Sequence, residues 1–394
     1  MSQTVQSVKP ARIDSIDFLR GLVIVIMALD HVRDYVTNVR FDPLDPDQTN
    51  ALLYFTRWIT HFCAPVFVFL AGTAGGFQRE KGKSVGELSQ FLLTRGLWLI
   101  FLELTVVLFG WKFNFQPLFF LQVIWAIGAS MVVLAGLVFL PLRAIAAIGA
   151  VMILGHNLFD AFIAPVGFNA PATALADILW VILHQQAPIQ IGPVFIFLAY
   201  PLIPWIGVMA LGYAFAEFYA RGETSRRSLL LKIGLGATAA FLILRGVNIY
   251  GDPTPWTSYD TLLKTAMSFF NVQKYPPSLI FLLMTLGPAM IVLSFAERWK
   301  GAVYDIFVTF GRVPLFFYVI HIYVAHLAAV GLAVAQGHPA SSLMVFFFFF
   351  PPDYGVGLGG VYLIWIFVVA ALYFPCKWFA GVKQRSKKWW LAYF

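Results

Sequence analysis

The chain has 394 residues, of which 60% are hydrophobic and 12% are charged, and its formal net charge is +8 at pH 7. This composition excludes an ordinary soluble protein, because many apolar stretches reach the roughly 20 residues that cross about 30 Å of hydrocarbon. It also excludes a membrane barrel, whose strands would alternate in hydrophobicity over about 10 residues. We therefore predict an all-α fold, a polytopic membrane helical bundle.

The hydropathy pattern predicts about 10 transmembrane helices in a single domain that occupies residues 1–394. Basic residues concentrate in the cytoplasmic loops of membrane proteins. An even number of spans places Lys83 and Arg226 on one side and Asp45 and Asp252 on the other, so both termini are predicted to be cytoplasmic. The predicted spans are 15–36, 52–77, 91–111, 119–141, 143–162, 192–219, 227–250, 277–297, 304–335 and 357–380.

The excess of positive charge is explained by the predicted inner loops and by anionic lipid headgroups. Charge therefore predicts contact with membrane lipids and no nucleic-acid partner. The two cysteines, Cys63 and Cys376, lie in apolar segments without ligand spacing around them, so no metal is predicted. The sequence also contains no GxSxG, P-loop, HExxH or EF-hand pattern. The chemistry that remains is acid-base catalysis by histidine.

The first predicted span carries Asp30 and His31 near its far end, with Asp34 one turn beyond. Ionisable side chains are costly in lipid and mark functional positions. A rise of about 1.5 Å per residue puts His31 roughly 22 Å from the cytoplasmic end of its helix. The same rise puts His61 roughly 13 Å from the outer end of the second span, with Arg57 four residues earlier on the same face. The two histidines are thus predicted to share one outward-facing cavity.

Three further ionisable residues fall inside later spans. Glu103 lies near the middle of the third span, while Arg245 and His321 lie in the outer halves of the seventh and ninth. A water-filled pocket that opens outward would accommodate all three. Each has a structural alternative, because a buried arginine often pairs with a carboxylate and a histidine often bonds a neighbouring helix.

These positions give the candidate site residues. A histidine would remove the proton of the acceptor or carry an acyl group transiently, and a neighbouring carboxylate would orient its imidazole. The predicted catalytic residues are His31, His61 and Asp30, and the predicted substrate-binding residues are Asp34, Arg57, Glu103, Arg245 and His321.

Five ordered motifs extend over nearly the whole chain. They are DFLRG at 17–21, FCAPVFVFLAG at 62–72, YPLIPWIG at 200–207, YPPSL at 275–279 and GRVPL at 311–315. Together they resemble the bacterial DUF1624 family, which is related to the catalytic domain of heparan-alpha-glucosaminide N-acetyltransferase and to YeiB-like membrane proteins. The D-x-x-R-G start is shared with the acyltransferase-3 group, so the resemblance depends on the ordered set.

The resemblance implies transmembrane acyl transfer. Cytosolic acetyl-CoA would be the co-substrate, and the acceptor would be an amine or hydroxyl, commonly of a sugar or glycan, on the opposite side. It also implies a multi-pass protein of the bacterial cytoplasmic (inner) membrane and suggests a homodimer. A basic inner surface suits the phosphates of CoA. Arg312 is the candidate cofactor-binding residue, and its structural alternative is to cap carbonyls freed by Pro314.

In the lysosomal enzyme of this group, the active histidine is expected in the loop between the first two helices. The corresponding loop here, 37–50, contains no histidine, and His31 and His61 border it. A transporter or lipid-handling protein that uses the same charged pocket for binding and proton coupling is the alternative function. Transporters often contain internal repeats, and the absence of a clear repeat in this sequence favours the enzyme.

Overall fold

The structure of the protein is a computed structural model that describes residues 13–161, 170–219, 222–386 and 388–393. Most of these residues are helical, and three short strands accompany the helices. The helices are α1 (Asp14–Val36), α2 (Ala51–Trp58), α3 (Cys63–Glu80), α4 (Val85–Leu102), α5 (Leu108–Lys112), α6 (Val123–Leu137), α7 (Leu142–Gly155), α8 (Leu175–Leu183), α9 (Leu202–Tyr219), α10 (Glu223–Val247), α11 (Leu262–Phe270), α12 (Leu279–Ala296), α13 (Ala302–Gly311), α14 (Pro314–Ala335) and α15 (Leu358–Arg385), and the strands are β1 (Leu118–Leu121), β2 (Ala187–Ile191) and β3 (Val194–Leu198).

Eight helical segments in the described part of the chain are long and apolar enough to cross a membrane. The prediction of a polytopic helical membrane protein is confirmed at this level. Helices overlap all ten predicted spans, but the number of crossings, the location of the termini and the single domain over 1–394 stay predictions. The eight segments are Ala51–Glu80, Val85–Lys112, Leu142–Asp160, Leu202–Tyr219, Glu223–Val247, Leu279–Ala296, Pro314–Ala335 and Leu358–Arg385.

Helix α1 is absent from this set because it carries many charged residues, yet it lies at the centre of the bundle. Its 23 residues contact α3, α12, α13, α14 and α15, and most of its apolar side chains are buried. A helix surrounded on all sides by other helices can hold charge where a lipid-facing helix cannot, because protein groups replace water as partners. This central position makes α1 the element on which the candidate site is built.

Two glycines let α1 and α13 approach closely. A Cβ atom at Gly21 would overlap the carbonyl oxygen of Phe307, and one at Gly311 would overlap the carbonyl oxygen of Asp17. Small residues at such contacts allow helix backbones to pack with many van der Waals contacts. The close approach also lets Arg20 donate to the carbonyl oxygen of Gly311 at 3.1 Å.

The predicted ninth span, 304–335, consists of two helices rather than one. Helix α13 ends at Gly311, and α14 begins at Pro314 after a break. Proline has no N–H to continue a helical ladder, and it disfavours the helical conformation of the preceding residue. Val313 accordingly has φ −134° and ψ 50°. The break leaves Arg312 between the two helices.

A small sheet corrects the all-α prediction. The strand order is β1–β3–β2, with β1 parallel and β2 antiparallel to β3. The predicted spans 119–141 and 192–219 both begin in this sheet instead of in a helix. Short apolar runs fit a buried strand as well as a helix, so periodicity could not separate the two. Gly192, with φ +56°, makes the tight turn between β2 and β3.

Candidate functional site

An ion-pair cluster joins the end of α1 to α2. The Asp30 carboxylate lies 3.0 Å from the guanidinium of Arg33 and 3.1 Å from that of Arg57. Arg33 also contacts Asp34 at 2.6 Å, and Arg57 donates to the Thr60 hydroxyl at 2.8 Å. These charged side chains are largely buried, and burying a charge has a desolvation cost. Pairing with an opposite charge offsets part of that cost. Asp30, Asp34 and Arg57 thus lie together, as the sequence predicted.

His31, the next residue on α1, pairs with His321 of α14. Nδ1 of His31 lies 2.7 Å from Nε2 of His321, and Nδ1 of His321 lies 3.1 Å from the carbonyl oxygen of Phe317. A carbonyl oxygen can only accept, so neutral His321 carries its proton on Nδ1. Its Nε2 then accepts from the Nδ1–H of His31. This assignment leaves Nε2 of His31 as a lone pair able to take a proton.

A cavity of about 540 Å³, the first cavity, borders this pair and the ion-pair cluster. His31 lines it, and the ring of Trp111 packs edge-on against the imidazole with centroids 4.9 Å apart. That volume lies within the usual range of small-molecule sites. The polar side chains that line it are Asp30, His31, Arg33, Asp34, Arg57, Thr60, Gln122, Gln186, Tyr200, Lys274 and Tyr275.

Aromatic residues form much of the remaining wall of the first cavity. Phe195 and Phe197 alternate along β3, Phe120 lies on the adjacent β1, and the run Phe346–Phe349 completes that side. The period-2 spacing of phenylalanine in the sequence VFIFL was the signal that could have placed one face of β3 on a cavity. Lys274, Gln122 and Gln186 were missed as site residues because they come from loops whose positions no periodicity predicts.

His61 is separated from the first cavity, contrary to the prediction that it shares one with His31. It is buried, packs against Phe281 of α12 and does not line the cavity. The chain forms a 3₁₀ turn over Ile59–Phe62, and with about 3.0 residues per turn the residues at i and i+3 are aligned. Thr60, three residues after Arg57, accordingly accepts from its guanidinium at 2.8 Å, whereas the His61 side chain contacts Phe281.

Glu103 is also buried away from the cavities that the structure describes. It begins a π-helical segment, Glu103–Val107, and its Oε1 accepts from the backbone N–H of Gln122 at 2.7 Å. Gln122 precedes α6, so Glu103 satisfies one backbone N–H at the start of that helix. Glu103 contacts the site through Gln122, which lines the first cavity, rather than by lining it directly.

Arg245 holds a loop together rather than facing the first cavity. Its guanidinium donates to the carbonyl oxygens of Thr254, Ser268, Phe269 and Asn271 at 2.7–3.1 Å. Arginine presents its donors in a rigid fork, and these carbonyls occupy that fork. The prediction that Arg245 binds substrate is therefore not supported by its position. Its structural alternative, pairing with a carboxylate, is met by Asp252 at 3.7 Å.

A second cavity, of about 520 Å³, lies at the other end of the central helices. Among the described residues that line it there are five cations and no carboxylate. Arg20 pairs with Asp17 at 3.0 Å, so part of this charge is neutralised, but the lining keeps an excess of cations that favours an anionic ligand. Arg312, the predicted cofactor-binding residue, lines it and also pairs with Asp14 at 3.1 Å. The five cations are Arg20, Lys83, Arg95, Arg312 and Lys383.

The two cavities share part of a wall inside the bundle. Phe67 of α3 and Val123 of α6 line both of them. Tyr318 lines the second cavity, and its ring centroid lies 5.5 Å from that of His321 and 6.2 Å from that of His31. Tyr318 thus borders the second cavity and contacts both members of the histidine pair.

Metal ligands were not predicted from the sequence. Within the ranges that the structure describes, no group of three histidine, cysteine, aspartate or glutamate residues could hold a metal ion. The described residues of the site offer a histidine pair, an ion-pair cluster and two cavities of different polarity.

The chain is similar to a known protein family. The model of a family described as heparan-alpha-glucosaminide N-acetyltransferase, catalytic, matches residues 12–250. No curated protein matches the chain. The matched region contains the ion-pair cluster, His31 and the sheet, while His321, Lys274 and Arg312 lie beyond it. The family match thus covers more than half of the chain and one member of the histidine pair.

Proposed function

The chain belongs to the family of heparan-alpha-glucosaminide N-acetyltransferase catalytic domains, and we propose that it moves an acetyl group from acetyl-CoA to an amine or hydroxyl of a sugar or glycan. The donor enters the second cavity, and the acceptor enters the first. We further propose that the second cavity faces the cytoplasm, with both termini on that side of a bacterial inner membrane, because basic residues concentrate on cytoplasmic faces.

The observation that carries this proposal is that two unlike cavities share a wall close to one histidine pair. The phosphates of CoA need cations, and five cations line the second cavity. The acceptor needs a base, and His31 lines the first cavity with its Nε2 free of protein hydrogen bonds in the described residues. Phe67 and Val123 line both cavities, and the Tyr318 ring lies 6.2 Å from that of His31, so a pantetheine arm would pass these three side chains to reach the base. This arrangement supports transfer between two ligands that enter from opposite sides.

The reaction uses His31 as a general base. Its Nε2 takes the proton of the acceptor amine or hydroxyl while the acceptor nitrogen or oxygen bonds to the thioester carbonyl carbon. The carbon–sulfur bond breaks, and the CoA thiolate leaves and takes the proton from the imidazolium. His321 orients His31 through the Nδ1–H hydrogen bond. Asp30 is a positioning residue that ties α1 to Arg57. The alternative, in which His31 itself carries the acetyl group, is tested below.

Purified protein should release CoA from acetyl-CoA only when an acceptor is present. The experiment measures thiol release and acetylated product with a panel of amino sugars and glycan fragments. A burst of CoA release without acceptor, with label retained on the protein, would favour a covalent acetyl-histidine over direct transfer. Binding of acetyl-CoA without product from any member of the panel would contradict the proposal and favour the transporter alternative. A homodimer, which the family suggests, does not alter this test.

A further inference from the structure

We propose that the acceptor bound in the first cavity carries an anionic group, a carboxylate or a phosphate, that Lys274 recognises. This inference deepens the proposed function, because it specifies the class of acceptor for the same site.

Lys274 is a cation without a carboxylate partner. It lies in the loop before α12, it is half-buried, and it lines the first cavity. Its Nζ lies over the ring of Tyr275, 5.1 Å from the centroid, and no described carboxylate lies within ion-pair distance of it. The ammonium group is nevertheless close enough to Asp30 and His31 to interact with both electrostatically. A partly desolvated cation next to the base is a natural site for an anion.

The other charges of the cavity are already paired with one another. Asp30 and Asp34 neutralise Arg33 and Arg57 within the ion-pair cluster. The cavity therefore holds three cations against two carboxylates, and Lys274 supplies the excess. Complementary charge across a binding site favours an anionic ligand and disfavours a cationic one.

A second polar side chain in the cavity is also without a protein partner. Gln186, which precedes β2, lines the first cavity and makes no side-chain hydrogen bond to the described residues. Its amide can donate to a carboxylate or phosphate, or accept from a hydroxyl. Lys274 and Gln186 thus offer a charged contact and a neutral contact to one ligand.

The remaining wall of the first cavity indicates that the rest of the ligand is apolar. Phe120, Phe195, Phe197 and the run Phe346–Phe349 line the cavity with apolar ring surface. Such a wall packs against the apolar face of a sugar ring or against a hydrocarbon group, and it offers few hydrogen bonds to a strongly hydrated ligand. The acceptor class is therefore a small amphipathic anion that bears an amine or hydroxyl.

The test measures equilibrium binding with paired probes in the full-length protein. Glucosamine is compared with glucosamine 6-phosphate for the phosphate source and with muramic acid for the carboxylate source, using tryptophan fluorescence or calorimetry. We expect at least one anionic probe to bind about tenfold or more tightly than glucosamine, because hydrogen bonds between charged groups are the stronger ones. Lys274→Gln should remove that preference, and Lys274→Arg should retain it.

Lys264→Gln is the matched control. Lys264 lies on the exposed surface of the neighbouring helix α11, pairs with Asp47 at 3.3 Å and does not line the cavity. This variant should keep the preference for the anionic probe. Equal binding of all three probes by the wild-type protein, or an unchanged preference in Lys274→Gln, would overturn the inference. Preferential binding of an anionic probe without acetyl transfer would support the inference and contradict the proposed function, so the two failures are distinguishable.

Discussion

Nδ1 of His31 and Nε2 of His321 lie 2.7 Å apart although the two residues are 290 positions apart in the sequence. The contact joins α1 to α14 and depends on the packing of the central helices. Because Nδ1 of His321 is held by the carbonyl oxygen of Phe317, the proton on the shared hydrogen bond belongs to His31. The pair therefore fixes the tautomer that leaves Nε2 of His31 available as a base.

The first prediction is that His31→Gln lowers turnover by about 10² to 10⁴, the usual contribution of a general base. Glutamine keeps polarity and similar length but cannot take the proton. The measurement is steady-state acetyl transfer, with acetyl-CoA binding as the check on folding. His61→Gln is the comparison variant, and because His61 does not line the first cavity we expect turnover close to that of the wild type. Equal activity of His31→Gln and wild type would exclude His31 as the base.

The second prediction concerns His321 as a positioning residue. His321→Gln retains an oxygen that can accept the Nδ1–H of His31, whereas His321→Phe removes the acceptor. We expect the glutamine variant to recover part of the turnover that the phenylalanine variant loses, and the pH profile of the phenylalanine variant to shift because the pairing of His31 is changed. Identical losses in both variants, with an unchanged pH profile, would indicate a purely structural role.

The third prediction tests the close contact between α1 and α13. Gly21→Ala should destabilise the protein by about 1–3 kcal/mol or more, the usual cost of overpacking, because the added Cβ overlaps the carbonyl oxygen of Phe307. Thermal unfolding in detergent measures the effect. Gly331→Ala on α14 is the control, since a Cβ there has no neighbour within 4 Å. If Gly21→Ala and Gly331→Ala had the same unfolding temperature, α1 and α13 would not be closely packed at Gly21.

The fourth prediction concerns the second cavity. Affinity for CoA should fall as salt is raised, because exposed charge interactions are screened over about 8–10 Å near physiological ionic strength. Lys83→Gln should lower the affinity for CoA at low salt and reduce the slope of affinity against salt concentration, since Lys83 lines the cavity. Lys300→Gln removes an exposed charge that does not line it and should leave both quantities unchanged. A salt-insensitive affinity for CoA would contradict a basic donor site.

Much of the bundle followed from composition, because a membrane span has a length that hydropathy detects. The cluster of Asp30, Asp34 and Arg57 was also predictable, since helical depth and the cost of buried charge bring such residues together. Hydropathy did not reveal that the predicted ninth span breaks at Pro314. It also did not reveal that two predicted spans begin in strands, because a short apolar run has the same hydropathy as a helix or as a strand.

The partner of His31 could not be chosen from the sequence for a different reason. Depth alone made His61 and His321 comparable candidates, and the choice depended on local helix geometry. His61 lies in a 3₁₀ turn over Ile59–Phe62 and packs against Phe281, while α14 brings His321 into contact with His31 of α1. Lys274 and Gln186 lie in loops, where neither a helical nor a strand period predicts which side chains reach a cavity.

The central claim is transfer of acetyl from a donor in the second cavity to an acceptor in the first. Proteoliposomes with an amino-sugar acceptor trapped inside and acetyl-labelled acetyl-CoA added outside test it directly, because CoA does not cross the bilayer and only one protein orientation can use it. The account predicts labelled acceptor inside, free CoA outside in equal amount, and loss of both in His31→Gln. Labelled acceptor at the same rate in His31→Gln, or no labelled acceptor with any amino sugar tested, would contradict it.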